Sequence, residues 1–109
     1  MHSNYFAIFT AAGKVASLGE TKKLCTVRQR EIILDCAHPD DSFSRSIALT
    51  LYGPQCDIPL AEGDHISVAG TLDGRPTKVT NNKMRFYHTL DVEKLTHKGK
   101  EYNYDYLAD

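Results

Sequence analysis

Three runs of strict alternation constrain this chain more than any other feature. In "RSIALTLYG", Ile47, Leu49 and Leu51 share one face, and Ala48, Thr50 and Tyr52 share the other. In "HISVAGTL", Ile66, Val68, Gly70 and Leu72 alternate with His65, Ser67, Ala69 and Thr71. In "MRFYHTLDV", Met84, Phe86, His88, Leu90 and Val92 alternate with Arg85, Tyr87, Thr89 and Asp91. Successive side chains of a strand point to opposite faces, so each run reads as a half-buried strand with its aliphatic side inward. On this pattern Phe86 belongs to the core, and His88 is expected inside as a hydrogen-bonded histidine.

Two earlier segments complete the set. "NYFAIFTAAGKVASL" reads as a long strand that bends or bulges at Gly13. "LCTVRQREIILDC" changes phase between Val27 and Ile32, which predicts a bulge or a change of sheet partner. "GETKK" is expected to be a turn, "AHPDDSFS" a loop, and "DGRPTKVTNNK" a longer polar loop between the fourth and fifth strands. Only "PQCDIPLAEG" has room for a helix, and Pro54 and Pro59 restrict it to about one turn. The tail "THKGKEYNYDYLAD" is either a sixth edge strand or mobile. The expected fold is therefore all-β: five strands, the first long and bent, closed into a small barrel that leaves few edges exposed. Residues 1–95 would form the barrel, and 96–109 a tyrosine-bearing tail or extra strand.

A chain of 109 residues supplies one modest core. It has no apolar run near the ~20 residues that a membrane helix needs. No basic stretch precedes the apolar residues of the N-terminus, which argues against a secretory signal. Cys25, Cys36 and Cys56 are odd in number and form no C-x-x-C pair, as expected of reduced thiols in a cytoplasm. The net charge of −1 hides a polarised distribution. Residues 37–72 hold Arg45 against Asp40, Asp41, Asp57, Glu62 and Asp64, whereas 74–90 hold Arg75, Lys78, Lys83 and Arg85 and no acid.

Catalytic patterns are missing. Cys36 and His38, with the scattered His65, His88 and His97, do not make the paired ligands of a zinc site. Asp40 and Asp41 are adjacent and point apart. Neither a Ser-His-Asp arrangement nor a phosphate-cradling glycine loop is present. The expectation is a protein without catalysis, metal or cofactor.

"LYGPQCDIPLAEGDHISVAGTL" resembles the middle of bacterial single-stranded-DNA-binding proteins and related OB-fold proteins, through Tyr52, Gly53, Leu60, Gly63, Asp64, Ile66, Val68, Gly70 and Leu72. "MRFYHTLDVEKL" is similar to the closing strand of that family, and Gly13-Lys14-Val15 to the opening of its first strand. The resemblance spans about two thirds of the chain. It implies a five-stranded OB-fold that binds single-stranded DNA; an RNA ligand and a homo-oligomer are further alternatives. The tryptophans on which that family often stacks bases have no counterpart here.

Single strands are held by cations that follow the phosphates and by flat side chains that stack on bases. OB-folds present them on strands 2 and 3 and on the loops joining strands 1–2 and 4–5. The candidates at those places are Lys22 and Lys23 in the first loop, Arg28 and Arg30 on strand 2, and Arg45 opening strand 3. Arg75, Lys78, Lys83 and Arg85 follow in and beside the 4–5 loop. Tyr52 and Tyr87, opposite the aliphatic stripes, are the expected stacking rings. Arg28 and Arg30 have an alternative, which is to pair with Glu31 and Asp35 across the sheet. A protein-interaction or self-assembling barrel is the competing function.

Overall fold

A computed structural model describes residues 7–37, 44–78 and 84–103, with backbone alone at 24, 37, 44, 75–78 and 84–87. Its central element is the hairpin of β3 (Val27–Ala37) and β4 (Ser44–Tyr52), held by nine register pairs from Gln29–Tyr52 to Ala37–Ser44. Alternation along these strands drives the fold. Ile32 faces Leu49 and Leu34 faces Ile47 across the ladder, and Ile32, Leu34, Leu49 and Leu51 are wholly buried. Val15, Val92 and Leu95 join them from β1 (Ile8–Leu18) and β6 (Met84–His97), and Ile66 and Val68 from β5 (His65–Lys78). Removing such side chains from water is the main drive for closing the sheet, at about 2 kcal/mol for each aliphatic group.

The strands run in the order β1-β5-β6-β4-β3, and β1 also pairs with β3, which closes a five-stranded barrel. β1 achieves this by changing partner. Residues Ile8 to Lys14 pair with β5, and Lys14 to Leu18 pair with β3. The backbones come so close at the change that a side chain at Gly13 would collide with the Asp35 carbonyl. The bulge expected at Gly13 lies slightly later, between Val15 and Ser17, where the β3 register shifts. β3 does change sheet partner, the second of the two anticipated features, but its pleat phase is unbroken, because the ladder to β4 runs from Gln29 to Ala37 without a shift. β3 pairs with β2 (Lys22–Leu24) through Val27–Gln29 and with β1 through Ile32–Asp35. "GETKK" is thus partly a strand: Lys22 and Lys23 lie in β2, which turns onto β3 at Cys25.

The largest departure from expectation concerns "DGRPTKVTNNK". β5 continues to Lys78 and pairs with β6 from Met84, so this segment is largely a two-stranded ribbon rather than a loop. The ribbon outruns the core, and residues in the inward phase lose their cover. Leu72 is 39% exposed, and His88, expected inside, lies exposed against Gly74. Further along, the β5–β6 register shifts between Ala69 and Gly70, leaving Glu93 as the extra residue. That shift resets the phase of β6, so Leu95 and His97 point inward after Val92. The turn Lys98-Gly99, with both residues at positive φ, then brings β7 (Lys100–Asn103) back along β6 as an edge strand.

The one short helix stands where the two prolines allow it, as a 3-10 helix over Gly53–Asp57. With Ile58 and Leu60 it puts buried side chains under one end of the barrel. The following "EGD" is a clasp. The Ala61 amide donates to Asp64 Oδ2 at 3.0 Å, the Val15 amide to the Asp64 carbonyl at 2.8 Å, and the Gly63 amide to the Val15 carbonyl at 2.8 Å. The same carboxylate meets Nε2 of His97 at 2.8 Å, with the His97 side chain 3% exposed.

The Ala61 amide and His97 hold the Asp64 carboxyl below its ordinary value. A carboxyl lowered on folding stabilises the protein at neutral pH, and this contribution disappears as pH falls through the folded-state value. Asp64→Asn should therefore melt below wild type at pH 7, and the difference should narrow under acid, as thermal unfolding across pH would show. Gly70→Ala should be costly for another reason. Its methyl would meet the Asp91 carbonyl across the bulge, so denaturant titration should show a loss on the order of 2 kcal/mol.

Candidate nucleic-acid interface

The outer face of the β3–β4 hairpin is about 27 Å long at the usual strand rise. Register assigns its residues in rows. Gln29 stands opposite Tyr52, Glu31 opposite Thr50, Ile33 opposite Ala48, and Asp35 opposite Ser46. β2 extends the first row, because Lys22 pairs with Gln29 on the other side. Lys22, Gln29 and Tyr52 thus form one row across three strands.

Tyr52 ends β4 and leads into the 3-10 helix, its amide donating to Oε1 of Gln55 at 3.1 Å. Its hydroxyl donates to Asp91 Oδ1 at 2.8 Å. Asp91 is the β6 residue that pairs with Thr50 in the barrel's parallel seam, so this bond clasps β6 to β4. The ring is on the outer phase as expected, but it is half-buried and held rather than freely exposed.

The two arginines of β3 do not share that face. Arg30 stands opposite the buried Leu51, and Arg28 is in the same pleat phase, which is the phase of Ile32 and Leu34. Beyond the end of the core they turn to local partners. Arg30 donates from Nε to the Gly19 carbonyl at 2.8 Å, and Arg28 meets Asp57 of the 3-10 helix at 2.8 Å. Neither bond is to Glu31 or Asp35, the partners anticipated across the sheet. Asp35 instead accepts from the Ser46 hydroxyl at 2.7 Å. An ion pair as exposed as Arg28–Asp57 contributes about 0–1 kcal/mol.

The remaining candidates divide between the ends of the hairpin. Lys22 and Lys23 are exposed at the β2 end. At the other end Arg45, also exposed, pairs with Cys36 in the ladder and so lies, like Arg28 and Arg30, in the pleat phase of Ile47 and Leu49. The parallel seam points the early part of β6 the same way as the start of β4, so the β5–β6 ribbon projects on this side too. Its backbone sets Arg75 opposite Tyr87, Thr77 opposite Arg85, and Lys78 opposite Met84. Lys83, His38, Asp40 and Asp41 lie outside the described residues. Gln29 and Asp91 were missed by sequence reasoning, because only the register reveals them.

Covalent chemistry finds little support among the described residues. Burial and the neighbouring Asp35 carboxylate push the Cys36 thiol up, which makes it a poorer nucleophile. No group of three or more metal-ligating side chains gathers there. Among the described residues no helix is long and apolar enough to cross a membrane.

No family model and no curated protein matches the sequence. Solved structures do match its fold. The dimeric N-terminal domain of PriB from Thermoanaerobacter tencongensis superposes with a TM-score of 0.63 at 17% identity, covering 84% of this chain and 94% of that domain. Rim1, a mitochondrial single-stranded-DNA-binding protein of S. cerevisiae, superposes with a TM-score of 0.65 at 9% identity, covering 86% of this chain and 96% of its own. The chain is an OB barrel. Its two extra strands are β2 and β7, and the OB strands 1 to 5 are β1, β3, β4, β5 and β6.

The Tyr52–Asp91 clasp makes its own prediction. Tyr52→Phe keeps the ring and loses the bond, so it should cost about 1 kcal/mol in denaturant unfolding. An unchanged midpoint would show that the seam does not depend on it.

Proposed function

We propose that this protein binds single-stranded nucleic acid, with DNA the first choice, along the outer face of β3 and β4 and without catalysis. The observation that carries this reading is the row Lys22–Gln29–Tyr52, which sets a cation, an amide and an aromatic ring side by side on the face that OB barrels use. Lys22 serves phosphates at one end of the face, and Lys23, which pairs with Arg28 in the other pleat phase, serves them from its margin. At the other end Arg45, exposed though in the inward pleat phase, serves them from the margin of the face, together with Arg75, Lys78 and Arg85 of the ribbon and with Lys83, which lies outside the described residues. Bases stack on Tyr52, and on Tyr87 where the ribbon folds over the strand. Arg28 and Arg30 support the barrel end through Asp57 and Gly19 and act on the ligand only through that scaffold. The likeness of fold to Rim1 is consistent with this reading.

Glu31 and Asp35 lie on the same face and limit how closely phosphates approach its centre. The contacts therefore concentrate at the ends, and affinity should depend steeply on salt. Each phosphate neutralised on a single strand contributes about −0.7 to the log–log slope. With no tryptophan, tyrosine fluorescence and the anisotropy of a labelled oligonucleotide are the natural signals. A mixed-sequence oligonucleotide should bind at low salt and weaken with a slope of about −2 to −4 as salt rises. Tyr52→Ala should weaken binding about tenfold, consistent with the ~1–3 kcal/mol of a stacked base. Lys22→Glu should lower both affinity and slope. Failure to bind at micromolar concentration in low salt would remove the proposal.

A second reading, self-assembly, is supported by the edge of β1. Residues Ile8 to Gly13 pair with β5 on one side, and among the described residues no strand pairs with their other side. Ile8 is 67% exposed there. Such an edge is a template for another strand, and a second copy supplies one. Light scattering should then give twice the 12.2 kDa of the chain.

A further inference from the structure

The outer face of β1, β5 and β6 has a different character from the β3–β4 face. Two depressions, of about 470 Å³ and 320 Å³, adjoin there and share Ala12, Ser67 and Thr96. Together they form one groove. Its floor is made of small residues that face each other in the ladder, with Thr10 opposite Ala69, Ala12 opposite Ser67, and Ser67 opposite Thr96. Lys94 lines one end, and Lys98 with His65 the other. The exposed Lys14 stands opposite His65 and adds a further cation at that end.

The chemistry of this lining selects an occupant. No carboxylate lines either depression. Asp64, next to His65 in the chain, is within electrostatic reach of Lys98, and Glu101 meets Lys94 at 3.3 Å in a half-exposed contact. Solvent screens such a pair, and a phosphate can replace it. The apolar residues deep in the groove, Ile66 and Val68, are already 4% exposed and belong to the core. They offer a second copy no large side chain to bury, whereas protein interfaces rely on aromatic and other bulky anchors. Hydroxyls and lysines are the groups that hold the sugar-phosphate backbone without reading bases. From His65 to Ala69 the groove runs about 13 Å along β5, which suits an extended strand rather than a single ion.

We infer that this groove is a second contact surface for the phosphate backbone of single-stranded nucleic acid, occupied when a strand is long enough to pass around the barrel from the β3–β4 face. It rests on the function proposed above. It adds that the site size exceeds one face and that Lys94, Lys98, Ser67 and Thr96 form the further subsite.

Oligonucleotides of about 6 and about 30 nucleotides separate the two faces, given OB site sizes of roughly 4–16 nucleotides. In anisotropy titrations, Lys94→Glu/Lys98→Glu should leave the short strand's affinity within about twofold of wild type. The same variant should weaken the long strand about tenfold and reduce its salt slope by about 1.4, which corresponds to two phosphates. Ser67→Asp, which leaves both lysines in place, should also weaken only the long strand. Circular dichroism checks that each variant is folded. Lys22→Glu, by contrast, should impair both lengths. If wild type ignores the short strand but binds the long one through Lys94 and Lys98, the β3–β4 reading fails and the groove stands. If both groove variants bind the long strand as wild type does, the groove inference is overturned. It is equally overturned if they alter only the mass seen by light scattering, because the face would then join copies of the chain.

Discussion

Closure of the barrel depends on one strand serving two partners. β1 hydrogen-bonds to β5 along its first half and to β3 along its second, and the exchange occurs where Gly13 passes the Asp35 carbonyl. Without that close passage the five strands would form an open sheet with two long edges, and Val15 would not reach the interior beside Ile32 and Leu34. The "EGD" clasp reinforces the same region, because Val15 is bonded through both its amide and its carbonyl to the turn before β5. Core, closure and loop geometry are thus concentrated around a few residues of β1.

The rest of the architecture follows from where the core ends. Inside the barrel, alternation has an inside to refer to. Outside it, β5 and β6 continue as a ribbon, at whose base Leu72, Asp73, His88 and Thr89 are exposed. Under the proposed function, a nearly neutral protein presents cations at the ends of a face whose centre holds Glu31 and Asp35. Net charge conceals this arrangement, whereas the local distribution of charge indicates it.

The sequence made β4 and β5 legible because Leu49, Leu51, Ile66 and Val68 alternate without interruption, and Pro54 and Pro59 correctly confined the helix. His88 and Leu72 were misjudged for one reason: periodicity reports the phase of a strand but not where its cover stops. β2 was hidden because three residues are too few to show a period. Leu95 and His97 were hidden by the extra residue at Glu93. Counting by twos from Ile32 does put Arg30 and Arg28 in the inward phase, yet their charge suggested the outside. Only the distance of both from the core resolves the conflict. Tyr52 and Asp91 are 39 residues apart and meet through a parallel seam, which no local pattern announces.

If Tyr52 stacks on bases as proposed above, its hydroxyl links ligand and scaffold in a way that simple exposure would not. One edge of the ring is fastened to Asp91 across the parallel joint of β4 and β6, and its face borders the row shared with Gln29 and Lys22. A base that settles on that face meets a surface already fixed in orientation, so little side-chain freedom is lost on contact. By mass action, a partner that favours this fastened state also draws the chain away from conformations in which the joint has parted. Under the proposed function, occupancy and the integrity of the drum are thus coupled, in part through the Tyr52 hydroxyl.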